Sequence, residues 1–229
     1  MREALEALLH TTQLFERSHF MQRVTLMINA GGGSQRMGQP KALLPVPPDN
    51  QPLLAHIVQR LQGLAPAQTV IIANAPMVRA QTELGDAVRW LTDAYPNQGP
   101  LGGLAAGLAV CDEWAIFVAC DMPLLNPALF AYFGALAAET DEQGAACWDA
   151  IVPLVDDYPQ VLHALYHPRC LPFVQARLAA GERRAICFLP DVRVRYVQEA
   201  ELQMIDPMLQ SFFNANTPAE WAQALALLN

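Results

Sequence analysis

A short apolar run at residues 24–28 reads as a strand, and the stretch after it constrains the fold more than any other. That stretch is Asn29-Ala30-Gly31-Gly32-Gly33-Ser34-Gln35-Arg36-Met37-Gly38-Gln39-Pro40-Lys41. Consecutive glycines leave the backbone without side chains, so it can turn sharply and come within hydrogen-bond distance of an anion. Ser34 adds a hydroxyl, Arg36 a planar fork of donors and Lys41 an ammonium. Two cations so close together suit a polyphosphate. A strand feeding such a loop reads as a cradle for a nucleoside triphosphate, with a plain glycine-rich turn as the competing reading.

Beyond the loop, strands and helices alternate. Pro52 opens a helix to about residue 61, with Leu53, Leu54, Ile57, Val58 and Leu61 on one stripe. Residues 70–73 are a wholly apolar strand with Asn74 at its C-terminal end. A short helix near 77–84 and a strand at 88–91 follow, leading to Asp93. Gly99-Pro100-Leu101-Gly102-Gly103 is a second glycine-rich turn, ahead of a helix over 104–109. Residues 114–119 form another buried strand, which runs into Cys120-Asp121-Met122-Pro123. Asn126 as N-cap and Pro127 at the first helical position start a helix to about 139. Repeated strand–helix units argue for an α/β fold, a Rossmann-like, mostly parallel sheet flanked by helices.

After residue 145 the pattern loosens. Residues 145–148, 151–155 and 161–166 read as strands, and 170–180 as a helix stopped by Gly181. Residues 192–197 alternate Val with Arg and Tyr, as an exposed or edge strand does. Thr217-Pro218-Ala219-Glu220 is a capping box that opens a last helix to 228. At the other end, residues 2–17 read as a helix with Leu5, Leu8, Leu9, Thr12 and Phe15 on one face, either a partner contact or a docked terminal helix.

The 229 residues suit one domain, or one domain with a small annex, and 53% hydrophobic residues suffice for a sizeable core. No apolar stretch approaches the length of a membrane helix, and the acidic start of the chain does not read as a secretory signal. Five scattered cysteines without a Cys-x-x-Cys pair favour a reducing cytoplasm over a disulfide frame or a zinc site. A net charge of −8 disfavours general nucleic-acid binding. Lys41 is the only lysine. A chain that otherwise uses Arg keeps a flexible point charge where a phosphate oxygen would have to be reached.

In open α/β sheets, ligands bind outside the C-terminal ends of the strands. Here those ends carry the glycine loop, Asn74, Asp93 and Asp121. A carboxylate facing a triphosphate needs a cation between them, so Asp121 is expected to bind Mg2+, with a helix-capping role as the alternative. Asp93 suits a base or ribose contact, a second metal contact or a turn. The stretch is not a Walker loop, because Gln39-Pro40 follows Gly38 where Lys-Ser/Thr belongs. It is not a dinucleotide fingerprint either, because the second strand ends in Asn74 and not in an acidic residue.

Residues 30–45 closely resemble the signature of nucleotidyltransferases that act on nucleoside triphosphates, roughly A-G-G-x-S-x-R-M-G-x-x-K-x-L-L. Gly99-Pro100-Leu101-Gly102-Gly103, Ala119-Cys120-Asp121-Met122-Pro123, Gly181-Glu182-Arg183-Arg184 and Asn214-Ala215-Asn216-Thr217-Pro218 extend the resemblance over most of residues 24–221. Together they are similar to the MobA-type molybdenum cofactor guanylyltransferases within the MobA-like NTP transferase family. Two positions depart from that pattern. Asn29 stands where an apolar residue is usual, and Pro40 precedes Lys41 where many guanylyltransferases have Asp. Gly-x-Pro-Lys is also familiar in cytidylyltransferase relatives.

The resemblance implies a fold of the nucleotide-diphospho-sugar transferase type. It implies a single domain over 21–229, with a nucleotide half at about 21–144 and an acceptor-side half at about 145–210, after an extension at 1–20. It implies that Asn29, Ala30, Gly31, Gly32, Gly33, Ser34 and Gly102 line the nucleotide, with loop amides holding GTP. Arg36 and Lys41 would neutralise phosphates, Asn74 and Asp93 lie near the nucleoside, and Asp121 binds Mg2+. His163, Arg183, Arg184 and Asn216 fall on the acceptor side. The implied catalytic residues are Arg36, Lys41 and Asp121, the substrates GTP and the molybdopterin cofactor, and the further partners molybdoenzymes or cofactor-delivery proteins. Cytidylyl transfer, or another phosphorylated acceptor, is the nearest alternative. A non-catalytic nucleotide-binding module is the alternative of another class.

Overall fold

The computed structural model describes residues 20–31, 39–93, 95 and 98–228. Their strands are β1 (Thr25–Asn29), β2 (Pro45–Val46), β3 (Gln51–Pro52), β4 (Gln68–Ile72), β5 (Arg89–Leu91), β6 (Ala115–Ala119), β7 (Ala150–Val155), β8 (Tyr158–Pro159), β9 (His163–Tyr166) and β10 (Val194–Val197). Their helices are α1 (Leu53–Gln62), α2 (Pro76–Thr82), α3 (Pro100–Leu108), α4 (Pro127–Ala137), α5 (Leu171–Ala179), α6 (Glu199–Gln203) and α7 (Pro218–Leu228). The helix expected at 2–17 lies outside the described residues.

β1 is buried along its whole length and sits near the middle of the main sheet, whose order is β10-β7-β9-β6-β1-β4-β5, with β8 paired to β7. Successive side chains of a strand face opposite ways. Leu26 and Ile28 accordingly join one core with α1, α4 and α7, while Met27 joins a second with α3 and α5. The sheet is therefore sandwiched between helices, and each face needs apolar side chains. That requirement explains the near-continuous apolar runs of β1, β4 and β6.

β5, β4, β1 and β6 are mutually parallel, and their registers bring Leu91, Ile72, Asn29 and Ala119 to one edge. β9 then enters antiparallel between β6 and β7, before β10 pairs parallel with β7. The mixed, mostly parallel sheet agrees with the expected fold class, and one sheet runs through both halves of the chain.

Four local expectations change. Helix α3 begins at Pro100, so Gly102 and Gly103 lie inside its first turn. Pro52 is not the first helical residue. It precedes α1 and pairs with Pro45 in a two-stranded ribbon. Residues 145–148 are not a strand and make only a bridge between Thr140 and Ala146. The strand expected over 161–166 starts at His163. Other local signals hold. Asn126 Oδ1 accepts the Ala128 N–H at 3.0 Å as the α4 cap, and Gly181 takes φ +79° after α5.

Candidate functional site

The shared edge of β5, β4, β1 and β6 carries two polar clusters, joined at Asn29. The first forms beyond β6. Lys41 begins a short 3-10 turn, Lys41–Leu43, and its Nζ lies 2.9 Å from Asp121 Oδ2 and 2.6 Å from Asn216 Oδ1. The Ala215 N–H donates to the Asp121 carbonyl at 2.9 Å, so the segment before α7 is laced to the end of β6. The Lys41 and Asp121 side chains are 16% and 23% exposed, fenced at the sides yet open to an incoming ligand. Burial pushes the neighbouring Cys120 thiol up to about 12, and the Asp121 carboxylate adds to this. A thiol held protonated is a poor nucleophile.

The second cluster lies beyond β4 and β5. Asn74 Oδ1 accepts the Asp93 N–H at 2.9 Å, and Asp93 Oδ1 accepts the Tyr95 N–H at 2.8 Å. Burial raises the Asp93 carboxyl above its ordinary value, and the Tyr95 N–H opposes the shift. The first turn of α3 packs directly on this cluster. A Cβ at Gly102 would sit 2.9 Å from Asp93 Oδ1, and one at Gly103 would sit 3.1 Å from Asn29 Oδ1. The close approach of the helix to the strand ends is eased at both positions by the missing side chain, most of all at Gly102. Gly99 precedes α3 at φ +66°, and the Arg183 carbonyl lies 3.4 Å from where its Cβ would be.

Asn29 joins the two clusters. Its Oδ1 accepts the Gly31 N–H at 3.3 Å, and its carbonyl accepts the Cys120 N–H at 3.1 Å. The first contact is a local Asx turn, for which an Asn two residues ahead of a glycine was the available signal. The bond between Lys41 and Asn216 had no such signal, because it spans most of the chain.

Asn29, Ala30, Gly31, Asn74, Asp93, Gly102, Lys41, Asp121 and Asn216 therefore meet along one edge. Arg183 and Arg184 are exposed on the loop that lies against Gly99. Gly32, Gly33, Ser34 and Arg36 lie outside the described residues.

Two expectations need correction. The Ala30 N–H donates to the Ile72 carbonyl at 2.9 Å, so this amide is used by the sheet and not by a phosphate. His163 cannot meet an acceptor, because it has no exposed surface. It stacks on Phe130 at 4.5 Å and packs on Phe212 at 4.3 Å, with Nε2 3.3 Å from Ser211 Oγ. Burial lowers its pKa to about 3, so it is a neutral core residue.

Among the described residues no group of three or more His, Cys, Asp or Glu forms a ready-made metal cage. Magnesium rarely needs one, since one or two carboxylates suffice when substrate phosphates and water complete its oxygen shell. Asp121 fits that role, because its carboxylate stands at the site mouth and already faces a cation, the Lys41 ammonium.

The MobA-like NTP transferase domain model matches residues 26–194. A molybdenum cofactor guanylyltransferase of Vibrio cholerae is 34% identical over 205 residues, covering 88% of this chain and 91% of the relative. Among solved structures, the molybdopterin-guanine dinucleotide biosynthesis protein A of Archaeoglobus fulgidus superposes with a TM-score of 0.73 at 22% identity, covering 89% of this chain and 98% of that one. The 2-C-methyl-D-erythritol 4-phosphate cytidylyltransferase of Thermus thermophilus superposes with a TM-score of 0.64 at 17% identity, covering 90% and 98%.

Proposed function

The chain belongs to the MobA-like NTP transferase family, and from that premise we propose that it moves GMP from GTP to the phosphate of the molybdenum–molybdopterin cofactor and releases pyrophosphate. The observation that carries this reading is the meeting of Lys41, Asp121 and Asn216 at the end of β6, beside the start of the glycine loop. An ammonium paired with a carboxylate at a strand end is a charge-balanced seat for a metal-bound triphosphate.

In the reaction, an oxygen of the acceptor phosphate attacks the α-phosphorus of GTP. The bond between that phosphorus and the bridging oxygen to the β-phosphate breaks, and the electron pair leaves with pyrophosphate. An ionised phosphate is already a nucleophile, so no general base is required. Lys41 neutralises charge that develops on the leaving group. Asp121 would hold Mg2+, which supplies further charge neutralisation on the phosphates when bound. Asn74 and Asp93 bound the nucleoside side. Arg183 and Arg184 offer cations to a phosphorylated acceptor arriving from the α3 side. All five cysteines are free thiols, and among the described residues no helix is long and apolar enough to cross a membrane. We place the reaction in the cytoplasm.

One residue favours a second reading. Pro40 directly precedes Lys41, as in cytidylyltransferase-like sequences, so CTP is the competing donor. Melting temperatures with GTP, CTP, ATP and UTP, each with Mg2+, separate the two. A nucleotide at a hundred times its dissociation constant adds about 2.7 kcal/mol. GTP is expected to give the largest rise. A larger rise with CTP would replace the guanylyl reading with the cytidylyl one, and no rise with any nucleotide would refute both.

A further inference from the structure

Glu220 sits in the first turn of α7, three residues after Thr217. A capping box asks two things of such a pair. Thr217 Oγ1 accepts the Glu220 N–H at 3.2 Å, and Glu220 Oε2 accepts the Thr217 N–H at 2.8 Å. The same Oε2 also accepts the Asn216 N–H, at 2.7 Å. Capping does not need that third bond. It reaches one residue further out, to the residue whose side-chain oxygen receives the Lys41 ammonium at 2.6 Å. On the other side, Ala215 is tied to the Asp121 carbonyl at 2.9 Å. Asn216 is thereby held between a main-chain bond to the site and a carboxylate from the last helix.

We propose that Glu220 is a positioning residue of the transfer reaction, acting through Asn216 to set where the Lys41 ammonium stands relative to Asp121. The proposal rests on the reading of the chain as a nucleotidyltransferase. It gives α7 a second task beside burying Trp221 and Ala224 in the core. It also makes a residue that touches no reacting atom matter to the rate. Small displacements of a charge-stabilising group are felt strongly in a transition state.

The single lysine makes the test direct. Selective 15Nζ-lysine labelling gives one side-chain resonance, that of Lys41. Glu220→Ala is expected to move this resonance and to lower kcat about tenfold, while KM for GTP changes by less than about twofold. Glu220→Gln should restore both, since a carboxamide oxygen can accept the same N–H groups. Thr217→Ala removes the hydroxyl half of the cap and leaves the bond to Asn216. It should lower the melting temperature about as much as Glu220→Ala, with an unmoved resonance and a wild-type kcat. The proposal is overturned if Glu220→Ala changes neither resonance nor kcat, or if Thr217→Ala reproduces its effects. A wild-type chain that transfers no nucleotide would overturn the functional reading itself, and the Lys41 resonance alone would then decide the connection.

Discussion

Lys41 holds two oxygens from segments far away in the chain, Asp121 Oδ2 and Asn216 Oδ1. A nucleotide's phosphates bring competing negative charge to the same ammonium, and a divalent cation would replace it at Asp121. If the proposed roles hold, Lys41→Ala would remove the charge that offsets the leaving pyrophosphate, and Asp121→Asn would remove the carboxylate proposed to hold Mg2+. Each should lower kcat about a hundredfold or more, the order seen when one charge-stabilising group is removed. Steady-state pyrophosphate release checks this, and near-wild-type turnover in either variant would withdraw that residue's role. The placement of Asn74, Asp93 and Asp121 at one sheet edge was readable beforehand, because each follows an apolar run. His163 was not. Its burial depends on Phe130 in α4 and Phe212 near α7, and nothing around residue 163 announces that these rings close over it.

Among the elements, α3 connects fold and site most tightly. Its first turn lies against Asp93 and Asn29 through Gly102, where a Cβ would clash, and Gly103, where one would be crowded. Gly102→Ala places a methyl 2.9 Å from Asp93 Oδ1 and 3.0 Å from the Tyr95 carbonyl, so helix or turn must shift. The expected result is a KM for GTP raised about tenfold with a smaller change in kcat, since the proposed nucleoside side would be disturbed and the charge cluster at Lys41 would not. Initial-rate kinetics over GTP concentration test this, and an unchanged KM would remove Asp93 from the nucleotide side. Strands β1, β4 and β6 were legible because burial on both faces demands unbroken apolar runs. The antiparallel insertion of β9 was not, because strand order follows from pairing across distant segments. The β7–β8 hairpin was also missed. Its turn residues, Asp156 and Asp157, take φ of +52° and +57° without the glycine that usually marks such a turn.

For the whole molecule, several groups shape the response to acid in one sense, with burial lowering the pKa of His167 to about 4 and that of His56 below its ordinary value, beside His163 and Asp149. His163 is neutral in the fold, its pKa lowered by burial to about 3 from an ordinary 6.5. The unfolded chain binds this proton more readily, so stability is full above pH 6.5 and is lost progressively as pH falls toward 3. Asp149 acts in the same sense at lower pH. Burial pushes its carboxyl up, but hydrogen bonds from Arg193 and Arg169 outweigh this and hold it well below the usual carboxylate range. Its contribution is present above pH 3.8 and declines below it. Urea midpoints measured from pH 8 to pH 4 should therefore fall from about pH 6.5 downward. Replacing His163 by Phe should make that fall shallower without abolishing it, since His56 and His167 still contribute, and an unchanged pH profile in this variant would contradict a neutral buried histidine. GMP transfer is measured most directly by following α-phosphate-labelled GTP with Mg2+ and molybdenum-loaded molybdopterin. The label should appear in a guanine dinucleotide form of the cofactor, with one pyrophosphate released per label transferred and none without acceptor. Label that stays in GTP while the acceptor is present, or pyrophosphate release that ignores the acceptor, would contradict it.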